Sequence, residues 1–395
     1  MMRAFMCATT LILVALLSGT IGCNSLSRPG HDDVVKGEVD RIIDTIKVTH
    51  RASLSNDGCT ADNIVYRREY GSLSKTERLD YVNSVKCLQA LPARTPAKVS
   101  AGTRSRFDDF VLVHIQRTLD IHYTGNFQHW HRWFVYLYEK ALRDECGYKG
   151  YQPYWDWPKY ADAPQDSPIF NGDPYSLGGN GEYIPGHNGS VIVPPGSDPI
   201  QLAPGVGGGY VRTGPFANMT VNLGPVGGVA GVEPGPDGGL GYNPRGLKRD
   251  VGPALNQRYA NYTTVLGLLS KPNITEYRAL SEGTPNTVEL GPHGGAHYVI
   301  NGDPGGDLYT SPGEPAFWLH HSMVDRMWAL WQAMNPDVRN FQMDDGRLGH
   351  ITWDNNPSSR LTSLDDVIDM GYAGPSTTIR QVASTTSGEL CYFYD

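Results

Sequence analysis

The stretch VHIQRTLDIHYTGNFQHWHRWFVYLYEKAL, residues 113–142, decides the fold. Apolar side chains recur in it at helical spacing on both sides of Tyr123–Asn126, where Thr-Gly-Asn favours a turn. We therefore predict a helix, a turn and a second helix across Phe107–Arg143. This stretch also carries four histidines, which are His114, His122, His129 and His131.

A second histidine cluster lies further along the chain, so that eight of the 12 histidines fall in two clusters. GPHGGAH, residues 291–297, places His293 and His297 four apart and therefore on one face of a helix. EPAFWLHHSMVDRMWALWQ, residues 314–332, carries His320 and His321. Asp325 follows His321 by one helical turn, and we expect it to accept a ring N–H from that histidine.

Two helix pairs that face each other would bring these imidazoles into the core of a bundle. A single histidine usually caps a helix or packs beside an aromatic ring. Several buried neutral imidazoles without partners are costly, at ~1–3 kcal/mol each, so the clusters indicate metal binding. Two three-imidazole sites without carboxylate or thiolate favour copper over zinc, and the zinc motif His-Glu-x-x-His is absent from the second cluster.

The rest of the chain predicts further helices and long loops. Ser74 and Glu77 form a capping-box pattern at the start of one helix. The helical segments predicted outside the first cluster are Asp32–Thr49, Ser72–Leu91, Pro253–Leu269, Pro292–Ile300 and Pro315–Met334. The fold class is therefore mainly α, with a central four-helix bundle surrounded by long Gly/Pro-rich loops and few short strands.

Residues 152–253 are rich in Gly and Pro, and their composition allows two structural interpretations. They form either a disordered linker or long loops packed over the core. Embedded aromatic residues favour packed loops; they are Phe170, Tyr175, Tyr183, Tyr210, Phe216 and Tyr242.

The net charge and the N-terminal residues indicate which partners and which location to expect. With 33 Lys and Arg against 41 Asp and Glu, the net charge of -8 argues against nucleic acid as a partner. Arg3 precedes the apolar run Leu11–Leu17, which is typical of a signal peptide over residues 1–22. No later run is long and apolar enough to predict a membrane anchor. We expect a secreted, extracellular protein with sequons at Asn188, Asn218, Asn261 and Asn273.

Both histidine segments resemble the copper-A and copper-B signatures of the tyrosinase, catechol oxidase and hemocyanin family. The residues that match the first signature are His122, Phe127, Trp130, His131, Arg132 and Glu139. Those that match the second are Glu314, Pro315, Phe317, His320, His321 and Asp325.

The resemblance implies two copper ions with dioxygen as co-substrate. It makes His114, His122 and His131 the ligands of copper A. It makes His293, His297 and His321 the ligands of copper B. His320 is then a neighbour of the ligands.

The resemblance further implies a polyphenol oxidase of the short secreted fungal branch. We expect residues 23–395 to form a single catalytic domain with no C-terminal shielding domain, acting as a monomer or weak oligomer on small phenols. The expected reaction oxidises o-diphenols and o-aminophenols to o-quinone-type products, with monophenols as poor substrates. The alternatives are a hemocyanin-like oxygen carrier and a zinc hydrolase.

Two positions differ from many relatives. Asp120 stands where relatives carry a cysteine bonded to the second ligand, so we predict no thioether to His122. Gly294 stands where enzymes efficient on monophenols often have Asn.

Four further residues are assigned by position alone. Glu289, four residues before His293, is the first candidate for a water-orienting carboxylate, and Glu282 is the second. Either could equally be a solvated surface residue. Leu308 falls where relatives place a gate over copper A, and Tyr298 is expected to line the same pocket.

Four cysteines remain after the signal peptide and its edge, which suits an oxidising compartment and allows three disulfide pairings. Loop closure together with the family resemblance favours Cys59–Cys87 and Cys146–Cys391.

Overall fold

The computed structural model describes residues 29–54, 58–192, 198–227, 232–285, 287–343 and 349–395. The predicted signal peptide lies outside these residues. The helices are α1 Pro29–Ser53, α2 Lys75–Ala90, α3 Arg106–Ile121, α4 Phe127–Cys146, α5 Pro253–Tyr259, α6 Tyr262–Leu269, α7 Ile274–Glu282, α8 Gly291–Ile300, α9 Phe317–Ala333 and α10 Pro336–Arg339. Among the residues described, no helix combines the length and the apolar character that a membrane crossing requires.

The central bundle is built from α3, α4, α8 and α9. Helix α4 packs against α9, while α3 packs on α4 and α8 packs on α9. Helix α9 is buried along nearly its whole length, since residues from Phe317 to Gln332 all lie inside. A helix buried on every face belongs at the centre of the fold. The mainly helical fold and its bundle are therefore confirmed.

Several predicted boundaries are confirmed in detail. The chain breaks between α3 and α4 at residues 122–126, as predicted. Ser74 accepts a hydrogen bond from the N–H of Glu77, whose side chain bonds back to the N–H of Ser74, so the capping box is present. The segment predicted as one helix over 253–269 is instead two, because Asn261 caps the start of α6. Helix α7 was missed, since its nine residues carry only a short apolar pattern.

Strands are few and short and pair mostly within the loops. They are β1 Val65–Arg67, β2 Gly181–Tyr183, β3 Val191–Ile192, β4 Ile200–Gln201, β5 Gly208–Val211, β6 Thr220–Val221, β7 Arg245–Gly246, β8 Val367–Ile368, β9 Thr377–Thr378 and β10 Tyr392–Tyr394. β1 pairs in parallel with β10, with Val65 opposite Tyr392. This pairing joins the end of the chain to its N-terminal part.

The disulfide prediction was wrong. Cys59 bonds Cys391 and Cys87 bonds Cys146, with Cα–Cα distances of 5.2 and 5.8 Å. The β1–β10 pairing brings residue 391 beside residue 59, and the packing of α2 on α4 brings residue 87 beside residue 146. The prediction from loop length failed because contacts between elements distant in sequence, not separation along the chain, determine which cysteines come close enough to bond.

The Gly- and Pro-rich loops of residues 152–253 bury part of their apolar side chains in the hydrophobic core. Phe170 and Phe216 are buried, whereas Tyr183, Tyr210 and Tyr242 are exposed. The packed-loop interpretation is confirmed, although only part of the aromatic set anchors it. The exposed tyrosines differ because the phenol hydroxyl can remain in water.

A buried ion pair ties these loops to the start of α9. Arg249 donates from Nε to Glu314 Oε2 at 2.9 Å and from Nη2 to Glu314 Oε1 at 2.5 Å. Glu314 also accepts the N–H of Ala316 at 2.9 Å. A bidentate pair of this kind fixes direction as well as distance, so the loop and the first turn of α9 are held in register.

Candidate metal centre

The first histidine cluster lies between α3 and α4. His114 projects from α3, His122 directly follows the last residue of α3, and His131 projects from α4. All three are buried, and each offers a ring nitrogen within 4.8 Å of those of the others. The reversal of the chain at residues 122–126 brings His122 and His131 together.

Backbone carbonyls fix the orientation of these three rings. Each Nδ1 lies at hydrogen-bond distance from a carbonyl oxygen: His114 from Tyr309 at 2.8 Å, His122 from Thr118 at 2.8 Å and His131 from Phe127 at 2.9 Å. A carbonyl can only accept, so Nδ1 carries the proton and Nε2 keeps its lone pair. The Nε2 atoms of His114 and His131 have no hydrogen-bond partner.

The second cluster is formed by α8 and α9. His293 and His297 project from α8, and His320 and His321 from α9, with their ring nitrogens within 4.8 Å of one another. The Nε2 atoms of His297 and His321 lie 3.1 Å apart. Burial lowers the pKa of His320 to about 3, although a hydrogen bond to the backbone of His293 acts to raise it. His320 therefore lies among the three predicted copper-B ligands, whereas the sequence analysis placed it only as a neighbour of the ligands.

The two clusters face each other across the bundle. The ring centroids of His131 and His321 are 4.5 Å apart and stacked, and those of His122 and His293 are 5.7 Å apart. The six histidines that the sequence singled out thus form one continuous group, and His129 lies apart from it against Trp328.

Burial keeps these imidazoles neutral. Loss of hydration lowers the pKa of His122 to about 4 and holds the pKa values of His114, His131, His293, His297 and His321 well below their usual range. Neighbouring imidazoles add to the effect in all of these except His122, because two positive rings cannot lie so close. Neutral imidazole is the form that ligates a metal.

A cavity of about 220 Å³ opens onto the histidines. His122, His293 and His297 form part of its lining. Gly294, Tyr298 and Leu308 also line it, as do Tyr123 and Trp353, whose rings meet edge to face at 5.4 Å. Further apolar lining comes from the loops, at Ile192 and Ile200.

The two glutamates proposed for a water-orienting role lie in different environments. Glu282 is buried and accepts the backbone N–H of Tyr123, the residue after His122, at 2.7 Å. Its other oxygen has no hydrogen-bond partner. Burial raises the pKa of Glu282 to about 8, although the Tyr123 N–H and Arg278 act to lower it. Glu289 is exposed.

Tyr123 takes an uncommon backbone conformation beside the centre. Its φ of 54° lies in the left-handed region, which costs a non-glycine residue about 1–3 kcal/mol. The bond to Glu282 holds this conformation, and the conformation in turn directs the chain from α3 into α4.

The prediction that Asp325 orients His321 was wrong. Asp325 accepts Nε–H of Arg132 at 2.6 Å and the hydroxyls of Tyr392 and Tyr394 at 2.6 and 2.7 Å. Burial works to raise its pKa, but Arg132, Arg67 and the two tyrosine hydroxyls hold the pKa below its usual value. Two arginines and two hydroxyls saturate this carboxylate, and it anchors the end of the chain to α9.

Comparison with known proteins agrees with this arrangement. Residues 104–334 match the family described as the common central domain of tyrosinase. The tyrosinase-like protein orsC of Emericella nidulans is 44% identical over 325 residues, which cover 78% of this chain and 86% of that protein. The N-acetyl-6-hydroxytryptophan oxidase ivoB of the same fungus is 36% identical over 348 residues, which cover 85% and 94%. A polyphenol oxidase from Thermothelomyces thermophila, solved as a point variant, is 64% identical with a TM-score of 0.85, covering 94% of this chain and all of that one.

This chain belongs to the tyrosinase family. The chain is an oxidoreductase of that family, because its relatives are named as tyrosinases, oxidases and a polyphenol oxidase. The donor set suits the copper that the family implies, because imidazoles without thiolate or carboxylate favour copper or zinc. Three Nε2 atoms, those of His114, His131 and His293, are buried without a hydrogen-bond partner and would each be satisfied by a bound ion.

Some residues around the tyrosinase-family centre escaped the sequence reasoning. Ile192, Ile200 and Trp353 reach the cavity from loops far from either histidine cluster. Their only sequence signal is an apolar residue in a polar or Pro-rich loop, which does not reveal where the loop packs.

Proposed function

We propose that this chain is a secreted polyphenol oxidase that holds two copper ions and uses dioxygen to oxidise o-diphenols and o-aminophenols to o-quinone-type products. His114, His122 and His131 would ligate copper A, and His293, His297 and His321 copper B. Residues 23–395 would form its catalytic domain after a signal peptide over 1–22. Monophenols would be poor substrates.

The convergence of six neutral imidazoles from α3, α4, α8 and α9 carries this proposal. A copper pair, when bound, supplies two-electron redox chemistry with dioxygen. The chain's own contribution is to hold the rings with their Nε2 atoms inward and to shield the centre. The backbone carbonyls that fix His114, His122 and His131 perform the first task.

The cavity supports small phenolic substrates. Its volume of about 220 Å³ is below the ~300–1,000 Å³ of pockets that hold drug-sized ligands, so it suits a single aromatic ring. Gly294 adds no side chain beside His293, and Tyr298 and Leu308 form apolar walls. Such a pocket orients a flat ring mainly by contact, with its hydroxyls toward the histidines.

Glu282 is suited to a role in deprotonating a phenol through a bound water. A phenol hydroxyl has a pKa of ~10, and its proton must leave before a monophenol reacts. The unpartnered Oε2 of Glu282 would hold a water next to His122, while Oε1 is kept in place by the Tyr123 N–H. The absence of an amide at Gly294 leaves that water with fewer partners, which supports weak activity on monophenols.

Two observations support export. The four cysteines in the described part of the chain are all joined in disulfides, as in an oxidising compartment. Asn188 and Asn218 are exposed and would accept glycans, whereas Asn261 and Asn273 already cap α6 and α7 with their side chains.

Metal analysis and initial rates on four substrates test the proposal. We expect two copper ions per chain, with catechol and o-aminophenol oxidised faster than guaiacol and tyrosine. Zinc without copper would select the hydrolase instead. Two copper ions that bind dioxygen without oxidising catechol would select the oxygen carrier, and a tyrosine rate equal to that of catechol would contradict the substrate preference.

A further inference from the structure

A short hairpin from the Gly-rich loops forms one wall of the cavity. β3 and β4 are antiparallel, with Ile192 directly opposite Ile200 and Val191 opposite Gln201. Side chains directly opposite one another in such a pair point to the same face, and those of the next residues point to the other. Ile192 and Ile200 therefore form one apolar surface.

This surface faces the centre. Ile192 and Ile200 both line the cavity that contains His122, His293 and His297, and both pack against the hydrophobic core. Val191 does neither, although it is the neighbouring residue on the same strand. The two isoleucines therefore contact the cavity, whereas the neighbouring residue of the same hairpin does not.

The hairpin is tied to the helix that carries two of the histidines. Ser190 Oγ donates to Asn301 Oδ1 at 2.6 Å, and Asn301 directly follows α8. Leu202 N–H donates to the Ser190 carbonyl at 2.9 Å, which closes the base of the hairpin. The apolar wall is therefore held at a fixed place relative to His293 and His297.

The charges around the cavity agree with an apolar ligand group. Among the lining residues that the structure describes, Asp307 is the one acidic side chain, and there is no Lys or Arg. Asp307 already accepts backbone N–H groups of Val226 and Tyr309 at 2.7 and 2.8 Å. A substrate carboxylate would find no Lys or Arg side chain to pair with in this lining, whereas an alkyl group would find the isoleucines.

We propose that Ile192 and Ile200 are specificity-determining residues that bind an alkyl substituent on the phenolic ring, so that neutral alkylcatechols are preferred over phenolic acids. The proposal rests on the proposed function, because it assumes a phenol bound with its hydroxyls toward the histidines. Loss of an apolar wall weakens binding of the group that touches it and leaves an unsubstituted ring unaffected.

Steady-state kinetics of Ile192→Ala, Ile200→Ala and the double variant test this with 4-tert-butylcatechol and catechol. In the double variant we expect the KM for 4-tert-butylcatechol to rise about fivefold to tenfold, with kcat and the KM for catechol nearly unchanged. Val191→Ala is the matched control and should leave both substrates as in the wild type. An equal change for both substrates, no change, or a lower KM for 4-tert-butylcatechol would overturn the proposal.

An anaerobic titration separates this proposal from the proposed function. Without dioxygen, a holoenzyme whose copper has been reduced beforehand has no electron acceptor for 4-tert-butylcatechol, so calorimetry measures binding alone and gives the dissociation constant. We expect the double variant to bind about fivefold to tenfold more weakly than the wild type and the Val191→Ala variant. If the wild type binds 4-tert-butylcatechol but does not oxidise it, the proposed function fails and this titration still decides the role of the isoleucines. Equal dissociation constants in the wild type and the double variant overturn that role.

Discussion

The Nε2 atoms of His297 and His321 lie 3.1 Å apart although 24 residues separate them in the chain. Burial and the neighbouring imidazoles hold the pKa values of both rings well below their usual range, so neither carries a positive charge at neutral pH. Two neutral imidazoles whose nitrogens face each other in a buried site either share a proton or share a metal ion. The five other histidines around them favour the metal.

His297→Ala should reduce the copper content from two ions per chain to one and lower catechol oxidation by at least about a hundredfold, because a metal site loses one of three ligands. Elemental analysis and oxygen uptake measure both effects. His187→Ala is the control, since His187 lies in a loop where it bonds Asp250 at 2.9 Å. Retention of both ions by the His297→Ala variant would reject the ligand assignment.

Glu282 should make the copper-free protein less stable as pH rises. Its pKa of about 8 in the folded state lies above the ordinary value of 4.5, so the folded state binds the proton more tightly than the unfolded state does. The stability contributed by the proton is complete below pH ~4.5 and is lost as pH rises through ~8, by on the order of 5 kcal/mol.

Glu282→Gln should remove this dependence, because the amide is neutral at every pH. Thermal unfolding of copper-free protein between pH 5 and pH 9 measures the effect. Glu289→Gln, at an exposed position, should follow the wild type. Parallel curves for wild type and Glu282→Gln would contradict the assignment of the raised pKa.

Asp325→Asn should destabilise the protein by about 3–5 kcal/mol, because it leaves the buried Arg132 and Arg67 without their shared carboxylate. Tyr392→Phe removes the one hydrogen bond from the Tyr392 hydroxyl to Asp325 Oδ2 and should cost only about 1 kcal/mol. Chemical denaturation of the two variants gives the comparison. Equal losses would show that the carboxylate does not organise this cluster.

Gly294→Asn should be accommodated and should raise the rate on tyrosine relative to catechol several-fold, since it adds an amide beside His293 to hold a water. A Cβ at Gly294 would meet only Leu290 Cβ, at 3.4 Å, which is ordinary contact. Gly294→Ala is the control without the amide and should leave the ratio unchanged. At Gly295 a Cβ would clash with the Tyr259 side chain, so Gly295→Ala should lower the melting temperature instead.

The sequence by itself determined the helices of the bundle and the residues that meet at its centre. Spacing along a helix is a local property, so His293 and His297 share a face and Ser74 caps α2 whatever the rest of the chain does. The turn between α3 and α4 was likewise predictable from the sequence, and it places His122 next to His131.

Only the tertiary structure decided which partners the remaining residues find. Asp325 is one turn from His321 in the sequence, yet the β1–β10 pairing brings Tyr392, Tyr394 and Arg67 to it. The same long-range pairing sets the Cys59–Cys391 disulfide. The packing of α7 against α8 buries Glu282 at the end of α7, while Glu289 in the following loop is exposed. Local periodicity fixes which way a side chain points from its own helix, but contacts between distant segments depend on how whole elements pack.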